Sequence, residues 1–262
     1  MTNITLGQFF PGDSPVHRLD PRTKLLFTVA MIANVFLAST AWGYLILAAF
    51  IVGATVLSRI SLKFLAKGLK PILFIVIFTF VLNVLFATSG NVLFAWGIIS
   101  VTDRGIVTSI FMAARLILLV CGTQLLTLTT SPIALTDGME MLMAPLARIG
   151  FPAHDLAMMM SIALRFIPTL LEEADKIMKA QTARGADFSS GNLIARAKAM
   201  VPLLVPLFVG AFRRADELAL AMEARCYRGG EKRTRMKELR FTALDLYPAI
   251  AMTLLTAACV VL

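Results

Sequence analysis

Hydrophobic positions along this chain come in long unbroken runs, not in the short alternations of a soluble fold. No charged residue occurs from 25 to 58. As one helix those 34 residues would measure about 51 Å, against a hydrocarbon core of roughly 30 Å. The run must fold back, and Ser39-Thr40-Ala41-Trp42-Gly43 is the natural corner, with Trp42 suited to the interface. This predicts membrane spans over 24–40 and 42–58. A second charge-free run, 71–102, breaks at Thr88-Ser89-Gly90-Asn91. Its first part predicts a third span. Its second part, with Trp96 and Gly97, reads as a short interfacial or re-entrant piece. A fourth span is expected over 105–129 and a fifth over 243–262, giving an all-α polytopic membrane fold.

The polar positions orient these spans. Arg18, Arg22 and Lys24 precede the first, and Arg59, Lys63, Lys67 and Lys70 fill the connection from the second to the third. The opposite side holds only Arg104. Excess Lys and Arg mark cytoplasmic loops, so the amino terminus is expected inside and the carboxyl terminus, after five spans, outside. No cleavable signal peptide is expected, because the first 24 residues are polar and basic and the apolar run after them is too long for a signal core.

Residues 137–240 break the pattern, holding 16 of the 25 basic and 12 of the 16 acidic residues. The charge-free pieces 156–164 and 199–212 have 9 and 14 residues, too short to span. Long helices are predicted instead. One runs from Pro152 to Gly185 and another from the cap Asn192 to Gly229-Gly230, kinked at Pro168, Pro202 and Pro206. Apolar stripes recur at helical spacing: Leu170, Ala174, Ile177, Met178 and Gln181 on one, Phe208, Ala211, Ala215, Leu218 and Met222 on the other. Such helices lie under or along the membrane and present an apolar face. The organisation expected is therefore a cytoplasmic segment over 1–23, spans over 24–130, a cytoplasmic or interfacial helical module over 131–240 and a last span over 241–262.

The two long helices end alike. Ala174-Asp175 is followed nine residues later by Ala183-Arg184, and Ala215-Asp216 nine later by Ala224-Arg225. One arginine at a helix end merely complements the helix dipole, worth about 0.3–1 kcal/mol. Two, each near the line of an apolar stripe, also suit a docking tip whose planar guanidinium grips a partner carboxylate or carbonyl.

Composition agrees with a membrane-embedded chain. Of 262 residues 58% are hydrophobic and 16% charged, with mean hydropathy +0.80, which excludes an ordinary soluble enzyme or a disordered protein. The net charge of +9 fits cytoplasmic loops against an anionic membrane surface, not nucleic acid. Cys121, Cys226 and Cys259 have no metal or redox spacing.

At the level of motifs the chain resembles a known family. His17-Arg18-Leu19-Asp20-Pro21-Arg22-Thr23-Lys24, Leu164-Arg165-Phe166-Ile167-Pro168, Ala183-Arg184-Gly185 and Ala224-Arg225-Cys226 resemble, in order and over essentially the whole chain, the transmembrane T component of energy-coupling factor transporters, related to CbiQ and BioN. The resemblance implies a non-enzymatic scaffold in the cell membrane. It joins two cytoplasmic ATP-binding-cassette ATPases, as a homo- or heterodimer, to a membrane S component that captures a vitamin or a metal ion. It implies that Arg184 and Arg225, with Ala183, Gly185, Ala224 and Cys226 beside them, dock into the ATPases, and that ATP and magnesium belong to those partners. The second motif departs from the first by ending in Cys226 in place of Gly. The apolar pieces around Leu156, Met159, Met160, Leu204 and Phe208 are then expected to meet the S component.

No Gly-x-x-x-x-Gly-Lys phosphate loop, paired Cys-x-x-Cys or His-Glu-x-x-His occurs, so no cofactor, metal or catalytic site is expected in this chain. His17 and His154 lack the partners that chemistry would need. Arg115 inside the fourth span is costly in lipid and marks a functional or bundle-facing position; Arg165 is read as pinning the kink at Pro168 to a neighbouring helix. The clustered methionines suit core packing or an adaptable contact surface. The alternative function is a permease with its own substrate path, which predicts intramembrane polar residues beyond Arg104 and Arg115.

Overall fold

The computed structural model describes residues 9–86, 91–96, 99–186, 188, 192–229 and 241–261. The chain divides into two compact units, Met1–Leu142 with Glu238–Leu262, and Met143–Lys237.

The first unit is a helical bundle: α1 (Pro21–Leu37), α2 (Ala41–Leu57), α3 (Leu62–Phe86), α4 (Asp103–Thr129), α5 (Pro132–Met143) and α8 (Leu246–Val261). Local chemistry sets the ends. Asp20 caps α1 by accepting from the Arg22 amide at 2.9 Å, with Pro21 in the first helical position, where its missing N–H costs nothing. Thr40 caps α2 and Thr102 caps α4. The corner at 39–43 falls where α1 ends and α2 begins, with Trp42 exposed on the first turn of α2.

Helices α1 and α4 hold the bundle together: α1 packs on α4 and α8, and α4 also on α2 and α3. One cluster fills the centre, from Met31 and Val35 through Leu47, Ile51, Leu118 and Cys121 to Met252 and Leu255. Lipid tails are as apolar as leucine, so such helices are held by close packing and interhelical hydrogen bonds more than by escape from water. Asn34 supplies one such bond, donating from Nδ2 to Thr256 Oγ1 at 3.0 Å, from α1 to α8.

Several expectations are corrected. Helix α3 begins nine residues before Pro71 and runs straight through it, so Lys63, Lys67 and Lys70 stand on its first turns. The connection from α2 shrinks to the residues around Arg59. Proline at this position removes one helix bond, and the rest of the ladder carries the helix across. The piece after the third span, read as short and interfacial or re-entrant, is an antiparallel hairpin, β1 (Val92–Trp96) with β2 (Ile99–Thr102). Residues 88–90, Gly97, Gly230 and Leu262, on which other expectations fell, lie outside the described residues. Helices occupy all five expected spans, but α1 and α2 have 17 residues and α8 has 16. At about 1.5 Å per residue these fall several Å short of the hydrocarbon core. Only α3, α4 and a later helix, Ala153–Ala183, are, among the described residues, long and apolar enough to cross by length and composition.

The second unit contains α6 (Ala153–Ala183) and α7 (Leu193–Ala224), preceded by a short 3-10 segment, Ala144–Ile149. Helix α6 was not expected to span. It qualifies at mean hydropathy 1.2, against 2.4 and 2.1 for α3 and α4, because its apolar turns continue past Asp155 and Arg165, which bound the charge-free piece. Asn192 stands at the cap position of α7, as expected. Pro168, Pro202 and Pro206 all lie inside their helices.

Candidate functional site

The two arginine motifs form helix ends built in the same way. Ala183 is the last residue of α6 and Arg184 its cap; Ala224 is the last residue of α7 and Arg225 its cap. At the first end, the Gly185 amide donates to Thr182 O and the Ala186 amide to Gln181 O, both at 3.0 Å. At the second, the Cys226 amide donates to Glu223 O at 2.8 Å and the Tyr227 amide to Met222 O at 3.0 Å. This pair of bonds is the Schellman termination, which turns the chain through a left-handed residue and satisfies the last carbonyls. Gly185 has φ +90° and Cys226 has φ +54°. The second helix therefore stops five residues before Gly229, where the sequence had placed its end. Cys226 does at that tip what Gly185 does at the first, against the steric preference of a residue with a Cβ. Both arginines are exposed.

The helices that carry these tips run antiparallel. Tyr227 Oη lies 3.3 Å from His154 Nε2, which places the residue just past the end of α7 beside the first turn of α6. Further along, Arg214 pairs with Glu173, and Glu173 lies over Gly210. The pairing partners are 41 residues apart, the offset that also relates Ala174 to Ala215 and Arg184 to Arg225, so equivalent positions of the two helices meet at their contact. Between them a cleft of about 250 Å³ is lined by Ile162, Phe166, Leu170, Ala211, Ala215 and Met222, among others. The stripes read as apolar faces that the helices present are thus corrected in part. Leu170, Ala211, Ala215, Leu218 and Met222 line the seam between the helices, whereas Met178 and Phe208 stay exposed.

Antiparallel order sends the tips to opposite ends. Arg225 stands near His154, and thirty residues of α6 separate His154 from Arg184. That is about 45 Å of helix.

The other candidates fall in separate places. Leu156, Met159 and Met160 on α6, and Leu204 and Phe208 on α7, are all exposed, Phe208 to 62%. Val201, Val205 and Phe212 extend that surface along α7. Arg165 and Pro168 are exposed on α6, and neither lines the seam. Arg115, in the bundle, donates from Nε to Tyr44 Oη at 3.1 Å, and its guanidinium lies 5.4 Å from the Phe36 ring. It is thus oriented by α1 and α2, and Tyr44 in turn stacks on Phe111 at 5.2 Å.

The motif at 17–24 makes a clasp at one end of the bundle. Lys24, buried, donates to His17 O and Thr129 O, both at 3.0 Å. His17 is bracketed by Ser14 Oγ at 2.6 Å and Phe10 O at 3.0 Å. Sequence reasoning missed the residue that closes the clasp. Buried Asp245 accepts from the Asp20 amide at 2.9 Å and the Thr242 amide at 2.8 Å, tying the start of α1 to the start of α8. Its sequence signal was Thr242-x-x-Asp245, a helix-start pattern.

Comparison with known proteins decides the family. The family model described as "Cobalt transport protein" (CbiQ) matches residues 12–236. The chain is 59% identical over 255 residues to the energy-coupling factor transporter transmembrane protein EcfT of Thermosediminibacter oceani, covering 97% of this chain and 96% of that one. The chain belongs to the EcfT family. It is also similar to EcfT of Ruminiclostridium cellulolyticum, 59% identical over 244 residues (93% and 91% covered), and of Bacillus subtilis, 52% identical over 257 residues (98% and 97% covered). Membership makes this a membrane protein of the energy-coupling factor transporter type, and the helices above are those of a transporter transmembrane component. The family match includes both arginine tips, the α6–α7 pair and most of the clasp, since all but Phe10 and the Asp245 side lie within 12–236.

Proposed function

We propose that this EcfT-family chain is a non-catalytic coupling scaffold: it holds two cytoplasmic ATPases through Arg184 and Arg225 and passes their ATP-driven movement to a membrane S component that captures a vitamin or a metal ion. ATP and magnesium are bound by the ATPases. The observation that carries this reading is the pair of helix ends with the same bond pattern, each presenting an exposed arginine, about 45 Å apart along one antiparallel helix pair. A structural cap needs no such duplication. Two grips at that separation suit two separate proteins, and the rigid helix pair between them converts a change in the distance between the ATPases into a tilt of α6 and α7.

The exposed apolar residues Leu156, Met159, Met160, Leu204 and Phe208 form the surface offered to the S component. In this reading α6 and α7 are coupling helices at the cytoplasmic side, the amino terminus is inside and the carboxyl terminus outside.

The test separates docking from helix capping. An arginine desolvated in a groove, once truncated, costs the complex about 2–5 kcal/mol. A mere cap interaction costs the chain about 0.3–1 kcal/mol. Because both side chains are exposed in the free chain, Arg184→Ala and Arg225→Ala should leave its thermal stability nearly unchanged. Each should weaken co-purification with the ATPases or uncouple hydrolysis from uptake, and the double variant more so. Lysine should rescue poorly, having the charge without the planar fork. Normal uptake by the double alanine variant sinks the proposal.

A further inference from the structure

The bundle contains a cavity of about 430 Å³, well within the size range of ligand sites. It lies between α1, α2, α4 and α8, at the end of the bundle closed by the clasp. Its floor is made of Met31, Ile51 and Met252, all buried. Its mouth is marked by Leu57 of α2, 61% exposed, and Tyr247 of α8, 73% exposed. The lining is almost entirely apolar, and its polar groups, Lys24, Thr28 and Thr129, gather at the clasp end.

Protein interiors leave few voids larger than a water molecule. Water does not fill an apolar cavity, for want of partners. A space of this size and lining at the flank of a membrane bundle therefore suits an apolar occupant. Leu57 and Tyr247 are exposed on apolar helices of a membrane protein, a surface that suits the bilayer as its surroundings. We infer that this cavity binds one acyl chain of a membrane phospholipid, inserted between α2 and α8, with the glycerol end at the clasp. The one charged residue of the lining, Lys24, already donates to two backbone carbonyls, His17 O and Thr129 O. Recognition is accordingly of the tail, with no demand for an anionic headgroup.

One position allows a clean test. Gly53 lines the cavity, and a Cβ built there meets nothing within 4 Å. Gly53→Phe should add a ring to the cavity wall from α2, its Cβ meeting no neighbour. The full chain, native and variant, would be reconstituted in vesicles of phosphatidylcholine carrying a diazirine in one acyl chain, irradiated, and its adducts mapped by mass spectrometry. The native chain should be labelled on 50–57, 122–129 and 247–252. In Gly53→Phe that labelling should fall several-fold, while labelling at exposed Phe74 and Phe78 of α3 stays the same. Ala251→Leu, from the opposite wall, serves if the first variant does not fold. Phosphatidylglycerol with the same diazirine tail should label equally. Unchanged labelling in the filled variant, or labelling from one headgroup alone, overturns the assignment. So does a photoreactive residue at Ala54 that crosslinks to another protein in place of lipid.

Discussion

Cys226 stands in the left-handed conformation that the equivalent Gly185 adopts freely, with φ +54° and +90° respectively. A residue with a Cβ gives up about 1–2 kcal/mol there. Glycine removes that strain but loses more chain entropy on folding, at roughly 0.5–1 kcal/mol. The net gain expected from Cys226→Gly is therefore about 0.5–1 kcal/mol, a two- to five-fold shift in the local opening equilibrium at RT of about 0.6 kcal/mol. The reverse change, Gly185→Cys, should cost the first tip a similar amount. The reporters are built in. The amides of Ala186 and Tyr227 donate the outer bonds of the two terminations, and both exchange with solvent only when their tip opens. Hydrogen exchange on the full chain should show Tyr227 protected more strongly in Cys226→Gly and Ala186 less strongly in Gly185→Cys, each leaving the other tip unaltered. If the tip geometry also matters for docking, Cys226→Gly should hold the ATPases at least as tightly as the native chain. Reduced protection at Tyr227 in Cys226→Gly would refute the reasoning, since it would mean that the thiol side chain stabilises this turn through contacts that outweigh the strain.

Asp245→Ala removes the acceptor for two backbone amides of the clasp; at about 1.5–3 kcal/mol per bond to a charged group it should lower unfolding stability by several kcal/mol, with Asp245→Asn in between, as read by thermal unfolding in detergent. A double-mutant cycle on Glu173→Ala and Arg214→Ala should return a coupling of about 0.5–1 kcal/mol, because both partners are partly exposed; zero coupling would place the seam's stability in its apolar lining alone. In a Cys226→Ser background, which removes the exposed thiol while Cys121 and Cys259 are buried, an impermeant maleimide added outside cells should label Trp42→Cys and not Asp13→Cys. The opposite pattern would invert the proposed topology.

Much of the architecture was legible in the order of residues because its causes are local. Uncharged runs longer than a bilayer is thick must fold back into helices, and the corner at 39–43, the helix start at Asn192 and the stop at Gly185 are set by the chain within a few residues. The 41-residue repeat and its arginines were readable for the same reason. Other features depend on residues that meet only after packing. Asp245 closes on Asp20 across 225 positions and Lys24 on Thr129 across 105, separations that leave no periodic trace. The stripe around Leu170 and Ala211 could be read as apolar, but whether it faced a partner or its own neighbour was decided by the antiparallel contact of α6 with α7. The charge-free run begins at Pro71, yet the helix starts at Leu62 and passes through the proline because one lost bond is small beside the ladder that remains. At the second tip a cysteine took a glycine's conformation because the Schellman bonds to Met222 and Glu223 over-determine that turn. Sequence determined what each segment is; tertiary structure decided which faces it spends on itself and which it leaves for others, since burial is a property of neighbours and not of residues.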